Sequence, residues 1–250
     1  MSRVVKIKSE LKKNKNKAFL TTALFGILFL AFSGLSAGMF VAILSEKSKL
    51  HIAFPIIIFA IALVMLTCFF IFRKKYNILL SGVRGENDTL AILKKLPKGF
   101  TIITNPVILN RGVTLELDFV VIGKNGVFIV ESKNYRGIIS GKTSSPKWKQ
   151  IKHGKGDNVY EKEVGNPVKQ AHRQGRRMLE MFRDFEITAD IYPIVYFVDS
   201  RSELKIQDDA QLNVAVINNE SQLIDYIVNS SGRQTVDSNE LAKIIRFFKR

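Results

Sequence analysis

Leu117-Asp118-Phe119-Val120-Val121-Ile122-Gly123-Lys124-Asn125-Gly126-Val127-Phe128-Ile129-Val130-Glu131-Ser132-Lys133 consists of two apolar runs around a short polar break. Runs this rich in Val, Ile and Phe read as strands, and Lys124-Asn125-Gly126 is turn chemistry. The stretch is therefore a hairpin with its polar residues at the ends. Asp118 opens the first strand, and Glu131 and Lys133 close the second. Side chains alternate along a strand, so Glu131 and Lys133 share a face. A simple antiparallel register places Asp118 at the same end as Glu131. Two carboxylates and an ammonium at one end of a buried hairpin are costly to desolvate. A divalent cation between the carboxylates would offset that cost.

Around the hairpin the chain alternates between helical and extended signals. Tyr76 to Lys95 predicts a helix with an approximate apolar face, interrupted at Gly85 and stopped by Leu96-Pro97-Lys98-Gly99. Phe100 to Leu109 predicts a strand with an irregularity at Pro106, followed by a turn at Asn110-Arg111-Gly112. Short strands are expected at Gly137–Gly141 and Trp148–Ile151, with a polar turn over His153–Asp157. Asn166-Pro167 starts a helix, proline being suited to a first turn, and that helix runs to about Phe185. Ile191–Val198 and Val214–Ile217 predict buried strands, and Ser221–Val228 and Asn239–Phe248 closing helices. The order defines a mixed α/β domain.

The first 75 residues differ in kind. Residues 1–17 form a basic arm with seven Lys or Arg against Glu10 alone. Residues 18–44 and 52–72 contain no charged residue. Each run exceeds the roughly 18 apolar residues that suggest a bilayer span. The first is too long for a signal-peptide core and the second follows at once, so a retained transmembrane pair is expected, joined by a short external loop at 45–51. Basic residues flank both outer ends, Arg73-Lys74-Lys75 closing the second span. That bias places both termini in the cytoplasm of a two-helix, multi-pass cell-membrane protein. Residues 76–250 would be the cytoplasmic domain, with a core at about 85–200.

The formal net charge of +16 is concentrated at this end, with a net of +10 in residues 1–75 and +6 in the remainder. Much of the basicity thus has a membrane explanation that competes with nucleic-acid binding. The single cysteine, Cys68, excludes an intrachain disulfide and a cysteine-based zinc site.

Glu86 on the first helix, Asp118, and Glu131-Ser132-Lys133 form a pattern that resembles the PD-(D/E)xK nuclease superfamily. More closely the chain resembles the nuclease-related domain, NERD, over about Gly85 to Ser200. The residues that carry the likeness are Gly85-Glu86, Leu96-Pro97-Lys98-Gly99-Phe100, Asn105, Leu117 to Gly123, Gly126 to Tyr135, Gly137, Gly141, Trp148 and Asn166-Pro167-Val168-Lys169-Gln170. The superfamily's proline before the aspartate is absent, Leu117 standing there. The resemblance implies a restriction-endonuclease-like mixed sheet flanked by helices, preceded by the two transmembrane helices. It also implies metal-assisted hydrolysis of phosphodiester bonds in nucleic acid, DNA first.

Roles follow from the same resemblance. Asp118, Glu131 and the Ser132 carbonyl would bind Mg²⁺ or Mn²⁺, hard cations that take oxygen ligands. Lys133 would activate the attacking water and steady charge on the phosphate. Glu86 would hold a second metal or a water on it, and Gln170 would position a ligand or the substrate. No small-molecule cofactor is implied. Lys149, Trp148, Arg173 and Arg176 are the candidate nucleic-acid contacts, basic groups with an aromatic that can stack on bases. Taken singly, each residue also has an ordinary reading. Asp118 can be a turn acceptor, Glu131 and Lys133 a solvated strand end, Glu86 a first-turn helix carboxylate, and the lysines a solvated face. The alternatives to a nuclease are a membrane-tethered nucleic-acid binding module and a protein scaffold, both without cleavage.

Overall fold

The computed structural model describes residues 2–7, 9–45, 51–154, 158–230 and 236–248. Most of the link expected at 45–51, and residues 155–157 of the expected polar turn, lie outside them. In chain order the elements are β1 (Arg3–Lys6), α1 (Glu10–Leu44), α2 (Ala53–Leu93), β2 (Thr101–Thr104), β3 (Val107–Asn110), β4 (Val113–Glu116), β5 (Phe119–Gly123), β6 (Gly126–Lys133), β7 (Gly137–Lys142), β8 (Lys147–His153), β9 (Val159–Gly165), α3 (Pro167–Asp184), β10 (Ile191–Phe197), β11 (Ser202–Gln207), β12 (Ala215–Ile217), α4 (Glu220–Asn229) and α5 (Ser238–Phe247). Two units result, one of residues 10–83 and one of residues 1–9 with 84–250.

In the first unit, α1 and α2 are each long and apolar enough to cross a membrane. Stacked Phe25 and Phe72, with ring centroids 5.4 Å apart, and a hydrogen bond from the Ser36 hydroxyl to the Pro55 carbonyl at 2.8 Å tie the two together. The helix expected from Tyr76 is not a separate element, because α2 runs unbroken from Ala53 to Leu93. Arg73-Lys74-Lys75 changes the polarity of the chain there, but Lys and Arg are good helix formers and stop nothing.

In the second unit, β5 and β6 pair in antiparallel register from Phe119↔Val130 to Gly123↔Gly126, leaving Lys124-Asn125 as the loop. Both strands are buried on both faces through Glu131, which is why they read as continuous apolar runs rather than alternating ones. They are the centre of a mixed six-stranded sheet, in the order β1-β2-β5-β6-β10-β12. One face, with Ile103, Val120, Ile122, Val127 and Ile129, packs on Met178, Met181 and Phe182 of α3 and Ile244 and Phe247 of α5. The other, with Ile102, Phe119, Val121, Phe128 and Val130, packs on Leu93 of α2 and Leu223 and Ile227 of α4. A second, four-stranded sheet, β11-β7-β8-β9, adds a third cluster, in which Ile139, Trp148 and Val164 pack with Val168 and Ala171 of α3 and with Val195 and Phe197 of β10.

Four strands were not expected, among them β4, which pairs antiparallel with β3. β1 lies in the basic arm and pairs with β2 in parallel, Arg3↔Thr101 to Lys6↔Thr104. β9 is a charged edge strand with little buried surface, and β11 follows a turn the sequence marks weakly. β2 and β3 are separate because Asn105 adopts a left-handed backbone at φ 52° before Pro106, a conformation that asparagine tolerates better than most residues.

Candidate active site

The register of β5 on β6 sets Asp118 beside Glu131, since Phe119 is opposite Val130. The Ser132 N–H donates to Asp118 Oδ2 at 2.9 Å, closing the pair. Alternation puts Glu131 and Lys133 on the α3 face of the sheet, where Lys133 Nζ lies 2.6 Å from Glu131 Oε1. Glu131 is 3% exposed. Lys133 Nζ also donates to Gln170 Oε1 at 3.1 Å. Gln170 stands one turn into α3, whose start is set by Asn166: its side chain accepts from the N–H groups of Val168 and Lys169, with Pro167 in the first turn.

Ser132 faces the other way, its hydroxyl 2.7 Å from that of Thr89 on α2. Glu86, three residues earlier on α2, is buried and accepts from Asn105 Nδ2 at 3.2 Å. Asn105 in turn donates its main-chain N–H to the Asp118 carbonyl at 2.8 Å. Gly85 lets α2 approach this closely, since a Cβ there would stand 2.6 Å from Asn134 Cβ.

Burial pushes the Asp118 carboxyl well above the usual carboxylate range, and the neighbouring charge of Glu131 pushes it the same way. The Ser132 N–H and the Lys133 ammonium pull against this without prevailing, and Glu86 adds to the repulsion. For Lys133, burial disfavours the ammonium, but the charge and hydrogen bond of Glu131 outweigh it and the net shift is upward. Two carboxylates that disfavour each other's charge in one buried place are a donor set that could hold an oxygen-seeking cation. Among the described residues no group of three or more His, Cys, Asp or Glu stands together as a metal cluster. Asp118 and Glu131, with main-chain oxygen and water, are the ligands on offer.

The expected nucleic-acid contacts are dispersed. Trp148 is 1% exposed, and its Nε1 donates to the Lys142 carbonyl at 2.8 Å. It lies on the inner side of β8, fitted over Gly141, where a Cβ would meet its ring at 2.3 Å, so it offers no face for a base. Lys149, on the outer side of β8, is paired with Glu161 at 2.8 Å, and Lys147 with Glu163 at 2.7 Å. On α3, Arg176 is 3.7 Å from Glu180, while exposed Arg173 and Arg177 have no ion-pair partner among the described residues. The stacking role expected of Trp148 is thus incompatible with its burial, and Lys149 is already engaged.

Sequence reasoning passed over Gln174, whose Nε2 donates to Glu131 Oε2 at 2.9 Å and to the Glu116 carbonyl at 3.2 Å. Its spacing of four from Gln170 on a helix was the available signal. Asn105 was part of the resemblance without a role, and only the tertiary structure brings it to Glu86.

The domain is thus a mixed sheet between helices, with an acid pair and a lysine at the end of its central hairpin. Residues 81–198 match the family model of the nuclease-related domain. The matched stretch includes Glu86, Asp118, Glu131, Lys133 and Gln170. An uncharacterized protein of Bacillus anthracis is 37% identical over 79 residues, 31% of this chain and 37% of that protein. The match thus spans little more than a third of that relative's length. No solved structure matches the chain.

Proposed function

We propose that this protein is a membrane-anchored nuclease that hydrolyses phosphodiester bonds in DNA with Mg²⁺ or Mn²⁺. The observation that carries the reading is the buried meeting of Asp118, Glu131 and Lys133 at one end of the central hairpin. Asp118 and Glu131, with the Ser132 carbonyl, would hold the cation, which when bound supplies Lewis acidity and lowers the pKa of water. Lys133, steadied by Gln170, sets a fixed positive charge where charge builds on the phosphate. Glu86, held by Asn105, adds a carboxylate from the opposite side of the hairpin end. Arg173 and Arg177 lie four apart on α3, about 6 Å along its axis, and provide uncompensated charge for a nucleic-acid backbone.

Two long apolar helices support the anchor. Residues 3–6, before α1, and residues 101–104, after α2, pair in one sheet, which supports a hairpin with both ends on one side. The lysine and arginine bias makes that side the cytoplasm. A second reading is a tethered binding module without cleavage, which draws on the exposed Arg173 and Arg177 of α3 alone.

The test uses the full chain in detergent, because a fragment from Tyr76 would lack β1. Single-stranded DNA, double-stranded DNA and RNA are incubated with Mg²⁺, Mn²⁺ or chelator, beside Glu131→Ala and Asp118→Ala. Cleavage lost on chelation and in both variants establishes the enzyme and its polymer. Binding without cleavage moves the assignment to the tethered module, and unchanged cleavage in either variant refutes the site.

A further inference from the structure

Two glutamines one turn apart on α3 turn opposite ends of their amides to the same ion pair. Gln170 presents its carbonyl oxygen to Lys133, whereas Gln174 presents its N–H₂ to Glu131 Oε2 and to the Glu116 carbonyl. Gln174 is 7% exposed, and its own Oε1 is buried with no hydrogen-bond partner. Turning the amide over would aim that oxygen at a carboxylate and a carbonyl, two acceptors, so its orientation is dictated by its neighbours. An unmatched buried acceptor loses its water without gaining a partner. The side chain bears that cost with its donor end committed to Glu131.

We propose that Gln174 is a positioning residue of the metal site, an inference that rests on the metal-dependent reading above. By holding Oε2 of Glu131 it leaves Oε1 as the oxygen offered to a divalent cation. Lys133 occupies that same oxygen in the structure, so a cation there would compete with the ammonium, which would keep its hydrogen bond to Gln170. Without Gln174 the carboxylate is free to turn both oxygens to Lys133, and a cation must then displace a two-point ion pair. Partners that orient a metal ligand from behind typically change metal affinity by about 10–100-fold.

The experiment measures Mn²⁺ binding by calorimetry on the full chain in detergent, for wild type, Gln174→Met and Glu131→Gln. Trp148, the single tryptophan, reports by fluorescence whether each variant is folded in chelator. The expected result is a folded Gln174→Met protein that binds Mn²⁺ about 10–100-fold more weakly. Undiminished binding by that variant, beside weakened binding by Glu131→Gln, overturns the inference and leaves the metal reading standing. Failure of the wild type to bind Mn²⁺, or binding indifferent to Glu131→Gln, overturns the metal reading and this inference with it. Should Gln174→Met not fold, Gln174→Asn, one methylene too short for Glu131, is read on the same scale.

Discussion

Replacing Lys133 by methionine keeps the aliphatic stem and removes the ammonium. In wild type the Lys133 side chain is 17% exposed and that of Glu131 4%, at 2.6 Å. Removing one partner of a buried ion pair costs about 3–5 kcal/mol, because the other charge stays buried and uncompensated. Here the loss is compounded, since Asp118 and Glu131 already repel one another. Against a total stability of about 5–15 kcal/mol the change is large. In a domain of this size it lowers Tm by roughly 6–20 °C. The assay is thermal unfolding of the full chain in chelator, followed by the fluorescence of buried Trp148. Glu131→Gln and the double variant complete the cycle. The double variant should lose at least about 1 kcal/mol less than the singles together, as expected of groups in direct contact. Simple additivity would refute the idea that Lys133 serves as the counter-ion of Glu131. On the metal-dependent reading, Mg²⁺ restores part of the loss, by about 2.7 kcal/mol at a hundred times Kd. No recovery in Mg²⁺ would separate the ion pair from any metal site.

Gly85→Ala places a Cβ 2.6 Å from Asn134 Cβ; overpacking of about 1–3 kcal/mol outweighs a helix-propensity gain of about 1 kcal/mol, and a stabilised protein in urea titration would contradict this. Trp148→Phe loses one hydrogen bond to Lys142, so stability should fall by about 1 kcal/mol while DNA affinity, read by fluorescence anisotropy, stays unchanged. Arg173→Ala and Arg177→Ala should each reduce the salt dependence of DNA binding by about one in log–log slope, and equal slopes would mean that α3 does not meet the backbone. Asp199 is held below its ordinary carboxyl value chiefly by the hydrogen bond from Arg201. Its stabilisation is therefore complete above the unfolded carboxyl value of about 3.9 and fades as pH falls through the depressed one. Asp199→Asn should cost at most about 1 kcal/mol at neutral pH, Arg201 being exposed, and the difference should vanish in strong acid.

The central hairpin was legible because its information is local. Val120 to Ile122 and Val127 to Val130 are apolar without alternation, and buried strands need no distant partner to look like strands. A simple antiparallel register about the Lys124-Asn125-Gly126 turn was enough to expect Asp118 beside Glu131, and the structure closes the hairpin one residue tighter, at Lys124-Asn125. The α3 start was equally local, since Asn166-Pro167 carries both the cap and the first turn. β9 was not legible: Tyr160 to Glu163 is polar and exposed, and its pairing with β8 adds ladder hydrogen bonds and the Lys147–Glu163 and Lys149–Glu161 pairs, which no periodicity in β9 alone announces. β1 failed for a related reason, its partner lying about a hundred residues away across both apolar helices.

The sequence by itself determined which side chains stand at the end of the hairpin, that a long apolar helical pair precedes the domain, and which family model residues 81–198 match. Patterns of period two, caps and charge-free runs act within a few residues, so a linear reading recovers them. Only the tertiary structure decided what those side chains touch. It turned Trp148 inward over Gly141 and committed Lys149 to Glu161. It also brought Asn105 to Glu86 and Gln174 to Glu131. Such contacts depend on which face of one element meets which face of another. That is set by packing the whole core, and no segment of the chain contains it alone.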